Sequence, residues 1–509
     1  MKKTAILIML ITILSKLLGL LRDVILSYFY GASSISDAYL IALTIPGVIF
    51  SFVGVAITTG YIPMYSKILK DSGEEKGLEY TNNIINLMLF LSTFIVIFSL
   101  VFTDNIVSFF ASGFQGETLT IASIFTKFTI IGVYFTGLVY VFSGYLQLKD
   151  NYIVPVLIGI PLNLIFIFSI ILSSQTNLFI LAIGTTIAYL FQFLILLPSI
   201  IKTRYKYKFY VNVKDENFKN MIYIVLPVIL GTSVNQINIL IDRTLASQLV
   251  VGGISALNYA DKLNLFVQGI VVTSIVSMTF PLMSKMFVND DREAFKRTIS
   301  QSIIIVSLLV VPAIFGFMLF SKQIVSFLFG RGEFDSRAIL LTSEALFFYS
   351  IGMIGFGLHQ VLSKAFYAMQ DTKTPVVNAT IGLVLNIILN LVLSRFLGIG
   401  GLALATSISS LVTAILLFLS LRKKIGTFGT KHISLSFLKI LVASFLMGIF
   451  AKLSFNYLVM DFSQDISLFL AILIGTISYI IIIYFIKIKD VDLFLIAVKN
   501  RIKLIFRMS

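Results

Sequence analysis

The chain has no cysteine and no tryptophan, two histidines, nine prolines, and only 12% charged residues among its 509. Without cysteine there is no disulfide and no thiolate metal site, and His359 and His432 are too few for a histidine-bound metal cluster. Soluble domains are about a quarter charged. With 58% hydrophobic residues and a mean hydropathy of +0.99, this composition is that of a polytopic membrane protein. The apolar runs are about 20 residues long and lack strict alternation, which excludes an outer-membrane barrel. Enzyme motifs are missing too: there is no Walker A loop, no HExxH, no nucleophile elbow, and no GxGxxG between a strand and a helix. The adjacent aspartates Asp290 and Asp291 lie in a short charged loop, too confined for the metal site of a membrane glycosyltransferase. The chain therefore reads as a transporter, not an enzyme.

What is present is a series of about fourteen apolar segments. They lie near 4–30, 36–62, 81–103, 118–148, 152–173, 177–201, 220–248, 254–284, 297–320, 338–369, 374–396, 399–421, 434–456 and 464–487. The N-terminus imitates a signal peptide but lacks a small-residue cleavage site, and it reads as a retained first helix. Basic residues set the orientation. With the N-terminus inside, the inner segments collect Lys2, Lys3, Lys67, Lys70, Lys76, Lys149, Lys202 to Lys219, Lys285, Arg292, Lys296, Arg297, Lys373, Arg422 to Lys431 and the tail from Lys487. The outer loops hold Lys322, Arg331, Arg337 and Arg395. Both termini are expected in the cytoplasm, with the net charge of +15 reflecting loop basicity and no nucleic-acid partner. The loop KTRYKYKFY from Lys202 suggests attraction to anionic lipid headgroups, and the basic tail 490–509 an amphipathic surface segment.

An internal repeat organises the chain. LRDVILSYFYGASSIS from Leu21 aligns with LIDRTLASQLVVGGIS from Leu240, and IPMYSK ending at Lys67 with FPLMSK ending at Lys285. IVSFF from Ile106 matches IVSFL from Ile324, Asp150 to Pro155 resembles Asp371 to Pro375, and LAIGTT from Leu181 matches LALATS from Leu402. Six helices per copy is an even number, so the copies run parallel, as in two-lobed transporters whose site lies where the lobes face each other. The fold class is thus an all-α membrane protein: an N-lobe over 1–201, a cytoplasmic basic loop over 202–219, a C-lobe over 220–424, and two further helices over 425–489.

Charges within the apolar segments mark the candidate site. Lys16, Arg22, Asp23 and Asp37 fall in the first two helices, and Asp242, Arg243, Asp261 and Lys262 in the seventh and eighth. A charge near the bilayer midplane costs about 2.5–3.5 kcal/mol on insertion scales, so several together argue for a wet cavity. The alternatives are interhelical packing for Lys16, snorkelling for Arg22 and Asp23, a cap on the second helix for Asp37, and structural pairing for Arg243 and Lys262. Neighbours on a helix do not face each other, so the second-lobe pairs do not neutralise themselves. A cavity with Lys16, Arg22 and Lys262 favours a phosphate-bearing anion over a cationic drug.

The pattern S-K-LLG-LLRD…GAS…SDAY…IP, with NYADKLN from Asn258, QDTKTP from Gln370 and GLALATSIS from Gly401, resembles the lipid II flippase (MurJ/MviN) family of the multidrug/oligosaccharidyl-lipid/polysaccharide exporter superfamily. That resemblance implies fourteen helices, a central cationic cavity, a groove for a polyprenyl tail lined by helices 13 and 14, and export of the lipid-linked peptidoglycan precursor across the bacterial cell membrane. It implies basic ligands at Lys16 and Arg22, acidic positions at Asp23 and Asp37, and Lys262 where the family carries arginine. The chain departs from the family after Pro46, where Gly-Val-Ile-Phe-Ser replaces a basic pair; Lys127, Arg243 or another group would have to substitute, or the substrate differs. Helices 1, 5 and 6 of each copy pack together in such folds. Asp242, Asn386, Asn390, the Leu402 carbonyl and Thr406 then form a candidate Na⁺ site of hard oxygen ligands; the alternative is that the asparagines are interhelical hydrogen-bond glue. The reading is an alternating-access flippase for lipid II, acting as a monomer among membrane lipids without a resident cofactor. Flipping of another polyprenyl-linked glycan, drug/cation antiport, and a non-transporting scaffold role are the competing readings.

Overall fold

The computed structural model describes residues 2–486, and every regular element in them is helical. The expected amphipathic tail over 490–509 lies outside the described residues. In chain order the helices are α1 (Lys2–Tyr30), α2 (Ser34–Ala56), α3 (Ile62–Val101), α4 (Thr103–Phe110), α5 (Gly116–Thr129), α6 (Gly132–Leu148), α7 (Ile153–Leu157), α8 (Gly159–Gln175) and α9 (Ile180–Lys202). After an extended segment come α10 (Glu216–Leu249), α11 (Gly253–Val288), α12 (Arg292–Phe329), α13 (Ser336–Ala368), α14 (Lys373–Ile425), α15 (Thr430–Leu458) and α16 (Gln464–Ile486). All-helical construction follows from the solvent: hydrocarbon offers no hydrogen bonds, so each segment must satisfy its own backbone.

Among the described residues, nine helices are long and apolar enough to cross a membrane, or eleven if each of two bent pairs counts as one span. Two of the nine are long enough for two crossings. Residues 34–101 run 68 residues, about 100 Å at 1.5 Å per residue, against a hydrocarbon core of roughly 30 Å. That path carries a π-helical turn at Ile57–Tyr61 and leaves helical geometry at Gly73 (φ 82°, ψ −179°). The 53-residue α14 breaks in the same manner at Gly398 (φ 52°, ψ −128°).

The chain forms two compact units, Met1–Ser255 with Phe329–Ala338, and Ala256–Leu328 with Ile339–Ser509. The core of the first is rich in tyrosine. Tyr61, Tyr65 and Tyr145 are buried; Tyr61 stacks on Tyr80 at 5.9 Å between ring centroids, and its hydroxyl meets that of Thr81 at 2.9 Å. The hydroxyls of Tyr65 and Tyr145 are buried without a hydrogen-bond partner, and their rings meet edge-on at 6.1 Å. The second unit is aliphatic instead, with Val306, Val310, Leu417 and Leu421 buried together. In it α15 and α16 form a hairpin, Ala451 lying 3.0 Å from where a Cβ on Gly475 would stand. Tyr479 of that hairpin donates to the Leu308 carbonyl of α12 at 2.7 Å.

The repeat is visible in the backbone. Asp150 and Gln370 both turn to positive φ, 60° and 61°, and the next N–H, of Asn151 or Asp371, donates back to Leu146 or Phe366 at 2.9 Å in each case. This pairs Asn151 with Asp371, one residue from the alignment read in the sequence. The side chains agree: Asn151 Oδ1 accepts from the Val154 N–H at 3.4 Å, and Asp371 Oδ1 from the Thr374 N–H at 3.0 Å. Thr186 donates to the Phe128 carbonyl at 2.7 Å, as Ser407 does to that of Phe348 at 2.6 Å.

Asp371 also accepts from the Thr374 hydroxyl at 2.8 Å and from Lys424 at the end of α14. Burial acts to raise its pKa, but the bonds from Lys424 and Thr374 outweigh burial and hold the carboxyl at about 2. A folded pKa below the unfolded value of about 3.9 means that the contribution to stability is complete above roughly pH 4 and is lost as pH falls towards 2. Asp371→Asn should therefore lower the melting temperature at neutral pH, and the gap to wild type should close as the purified protein is melted in progressively more acidic buffer. A gap independent of pH would contradict the assignment.

Candidate functional site

The basic residues of α1 do not share one environment. Lys16 is exposed along the helix, whereas Arg22 is largely covered. The Arg22 guanidinium donates to Asp23 Oδ1 through Nη2 at 2.8 Å and Nε at 3.1 Å, and lies 5.3 Å from the centre of the Phe166 ring on α8. Phe166 is in turn braced edge-on by Tyr189 of α9 at 6.1 Å. A long guanidinium can bend back to its chain neighbour even though adjacent residues point to different sides of a helix, so the adjacency argument applied to the second-lobe pairs does not extend to Arg22 and Asp23. The remaining Asp23 oxygen, Oδ2, is buried and accepts no hydrogen bond. The aromatic shelf under Arg22 left no signal in the sequence.

Asp37 does not cap its own helix, contrary to one reading of the sequence. That role falls to Ser33, whose hydroxyl accepts from the Ser36 N–H at 3.4 Å while the Ser36 hydroxyl accepts from the Ser33 N–H at 2.9 Å. The buried Asp37 carboxylate instead reaches the start of α11, accepting from the N–H groups of Gly252 and Ser255, each at 2.7 Å, and from the Ser255 hydroxyl. A carboxylate on two free N–H groups at a helix start combines a cap with a favourable dipole interaction. Next to it, Arg243 Nη1 approaches the Ile254 carbonyl at 3.4 Å.

These contacts belong to a clasp of four turns within the first compact unit. The Glu333 N–H donates to the Tyr28 carbonyl at 2.9 Å, and a Cβ on Gly332 would stand 2.2 Å from that oxygen. The Gly113 N–H donates to the Ser247 hydroxyl at 3.0 Å, and a Cβ on Gly113 would stand 2.1 Å from the Ser247 carbonyl oxygen. Tyr28 with Ser247, and Gly113 with Gly332, are pairs at the repeat offset, so each copy's loop holds the end of the other copy's first helix. Ser36 and Ser255 are also equivalents, and their hydroxyls meet at 2.9 Å. A position that touches its own copy is the mark of a self-complementary, two-fold contact.

In the second unit, four of the five candidate Na⁺ ligands stand together on α14. Asn390 Nδ2 donates to Asn386 Oδ1 at 2.8 Å, Asn386 Nδ2 to Thr406 Oγ1 at 3.2 Å, and Thr406 Oγ1 to the Leu402 carbonyl at 3.1 Å. All four residues are buried. Their oxygens are neutral and hard, the donor type that an alkali cation takes. Asp242 lies on α10 in the first unit, and Lys262 is half-buried on α11 in the second. Lys364 sits over the rings of Phe280 and Tyr367 at 5.0 and 5.4 Å, and Lys127 is exposed near the end of α5. Among the described residues no cluster of three histidine, cysteine or acidic side chains is placed to hold a metal.

Removing the Asp37 side chain would leave two N–H groups of the α10–α11 turn buried and unsatisfied. Asp37→Ala should destabilise the purified protein by about 1–3 kcal/mol, and Asp37→Asn, which keeps one acceptor oxygen, by less. Denaturant or thermal unfolding in detergent measures the difference; an alanine variant as stable as wild type would remove the clasp from the account.

Comparison with known proteins places this arrangement. The family model described as "Lipid II flippase MurJ" matches residues 26–474. The chain is 30% identical over 430 residues to a protein of Vibrio cholerae serotype O1 named as a probable lipid II flippase MurJ, covering 82% of each. It is also 30% identical over 480 residues to the lipid II flippase MurJ of Thermosipho africanus, covering 94% of this chain and 95% of that one. Among solved structures, a lipid II flippase MurJ in an inward closed conformation superposes with a TM-score of 0.82 at 27% identity, over 94% of this chain and 98% of that one. A multidrug resistance MATE family transporter shares the fold, with a TM-score of 0.71 at 17% identity, over 84% of this chain and 99% of that one. The chain belongs to the MurJ family of lipid II flippases.

Proposed function

We propose that this protein moves lipid II from the inner to the outer leaflet of the bacterial cell membrane by alternating access. The reading rests on two observations: the family match extends over 26–474, and a few residues before it, on α1, Arg22 is held largely covered by Asp23 and the Phe166 ring. A guanidinium retained at that expense suits a pyrophosphate, which it can grip bidentately. Lys16, two turns earlier on α1, is the second basic ligand, and Lys262 stands where the family carries arginine. The protein acts as a carrier without chemical turnover, as a monomer, with both termini in the cytoplasm and fourteen crossings. The breaks at Gly73 and Gly398 support that number, because each divides a helical path too long for one crossing.

In this reading the clasp closes the outer face. Opening it requires Asp37 to release the start of α11, and the two-fold exchange of loops means that both copies let go together. An inside-negative potential favours outward movement of an anion by about 2.3 kcal/mol per charge per 100 mV, which assists the loaded step. Na⁺ at Asn386, Asn390, Leu402 and Thr406 would hold the second-lobe helices in one arrangement while the empty carrier resets.

The test is replacement of a cell's own lipid II flippase under depletion. The wild-type chain should sustain growth, Arg22→Ala and Lys16→Ala should fail at normal expression, and Lys262→Arg should be tolerated. Growth on Arg22→Ala equal to wild type would refute the role given to this residue. Melting of the purified protein in Na⁺ against K⁺ addresses the ion: a higher melting temperature in Na⁺, absent in Thr406→Val, is the expected result, and no difference in wild type would dismiss the site.

A further inference from the structure

The segment between α9 and α10 is neither helix nor free loop. It runs extended across one face of α3 and is pinned there by three buried asparagines, Asn82, Asn83 and Asn86. Asn82 Nδ2 donates to the Lys206 carbonyl at 3.3 Å, and its Oδ1 accepts from the Lys208 N–H at 3.3 Å and the Tyr205 hydroxyl. Asn86 Nδ2 donates to the carbonyls of Lys208 and Tyr210 at 3.4 and 3.2 Å, and its Oδ1 accepts from the Tyr207 hydroxyl. Asn83 pairs with the backbone of Asn212 in both directions, accepting at 2.7 Å and donating at 3.0 Å. Carboxamides spaced three and four apart fall on one side of α3. The backbone of the strap satisfies them where they would otherwise meet an apolar surrounding.

We propose that residues 202–214 form an asparagine-pinned strap that binds anionic phospholipid headgroups at the membrane surface through Arg204, Lys206 and Lys208. Arg204 stands in the turn that leaves α9 (φ 57°), and from Tyr205 the extended chain alternates its sides, so Lys206 and Lys208 share one side while Tyr205 and Tyr207 turn to the asparagines. All three cations are exposed, and no acidic residue occurs from 202 to 214. Of the acids nearby, Asp215 caps α10 by accepting from the Phe218 N–H at 2.9 Å, and Glu79 on α3 accepts from Lys76 at 2.8 Å while also facing Tyr210 and Lys208 of the strap. The depth of the strap is set by Phe209, which meets Phe90 of α3 edge-on at 6.4 Å. Phe90 and Phe94 are exposed apolar side chains on a membrane-spanning helix, so Phe209 stands where hydrocarbon gives way to headgroups, the level that interfacial aromatic residues occupy. Phosphates of the surrounding bilayer lie at that level; those of a nucleic acid do not reach it. Because the strap is ordered before any lipid arrives, little further backbone freedom is lost on binding.

The probe is full-length protein exposed to mixed phosphatidylglycerol and phosphatidylcholine micelles, with retained lipid counted by native mass spectrometry. Wild type should retain phosphatidylglycerol selectively. Arg204→Gln, Lys206→Gln and Lys208→Gln combined should lose that selectivity, by roughly fivefold per residue replaced, with an unchanged melting temperature in phosphatidylcholine alone. Asn82→Ala with Asn86→Ala should weaken selective retention although every cation remains. Undiminished phosphatidylglycerol in the triple glutamine variant overturns the headgroup assignment, and undiminished retention in the asparagine variant overturns the pinning. A wild-type protein that takes up an RNA oligonucleotide while showing no preference between the two lipids also overturns the proposal.

Discussion

The contact of Asp37 with the first turn of α11 is the interaction on which the clasp depends. A carboxylate this deeply buried in a membrane protein is tolerable only when its charge is met by oriented donors, and a helix N-terminus presents several at once. Two backbone N–H groups and the Ser255 hydroxyl supply them. Around that bond the turns close in repeat-related pairs, with glycine at 113 and 332 because the approaching carbonyl oxygens leave no room for a Cβ. The same accounting applies to Arg22, matched by Asp23 and a ring face, and to the asparagines of α3, matched by the strap. These three solutions differ because the available partners differ.

How far these arrangements could be read in advance depended on the range of the partner. The repeat, the all-helical class and the membrane setting were legible because they rest on local hydropathy and on recurring strings. The grouping of Asn386, Asn390, Leu402 and Thr406 was legible for a similar reason: the i, i+4 spacings place each pair on one helix face, and the return of the chain at Gly398 does the rest. The role of Asp37 was not, since its donors stand more than two hundred residues away and an aspartate near a helix start is also a plausible local cap. The register of the repeat near Asp371 slipped by one because the identical aspartates were matched, whereas the backbone matches Asn151 to Asp371 through a shared turn geometry. The attraction of this basic segment to headgroups was readable in its composition, but its pinning was not, because side-chain to backbone bonds from Asn82, Asn83 and Asn86 have no signature in the loop itself.

Taken together, the site has the parts a lipid-linked anion carrier needs, and they are physically separate. The proposed grip is cationic and lies on α1, where Arg22 already has a partner that an incoming phosphate would have to share or displace. The clasp is built from backbone donors and glycines and responds to geometry more than to substrate charge. The polar cluster of α14 is uncharged, and the small hard cation proposed there would not compete for the phosphate. Coupling among such parts requires that the ligand have a higher affinity for one arrangement of the lobes than for the other, which makes the charge on α1 and the bond at Asp37 the two places where an imbalance would have its largest effect.

The most direct measurement is transbilayer movement of lipid II in vesicles containing this protein alone, followed by the accessibility of its headgroup to a membrane-impermeant reagent. The account predicts movement well above that of protein-free vesicles, accelerated by an imposed potential that draws anions across in the transport direction. Movement at the protein-free rate, with the protein folded and correctly inserted, would contradict it.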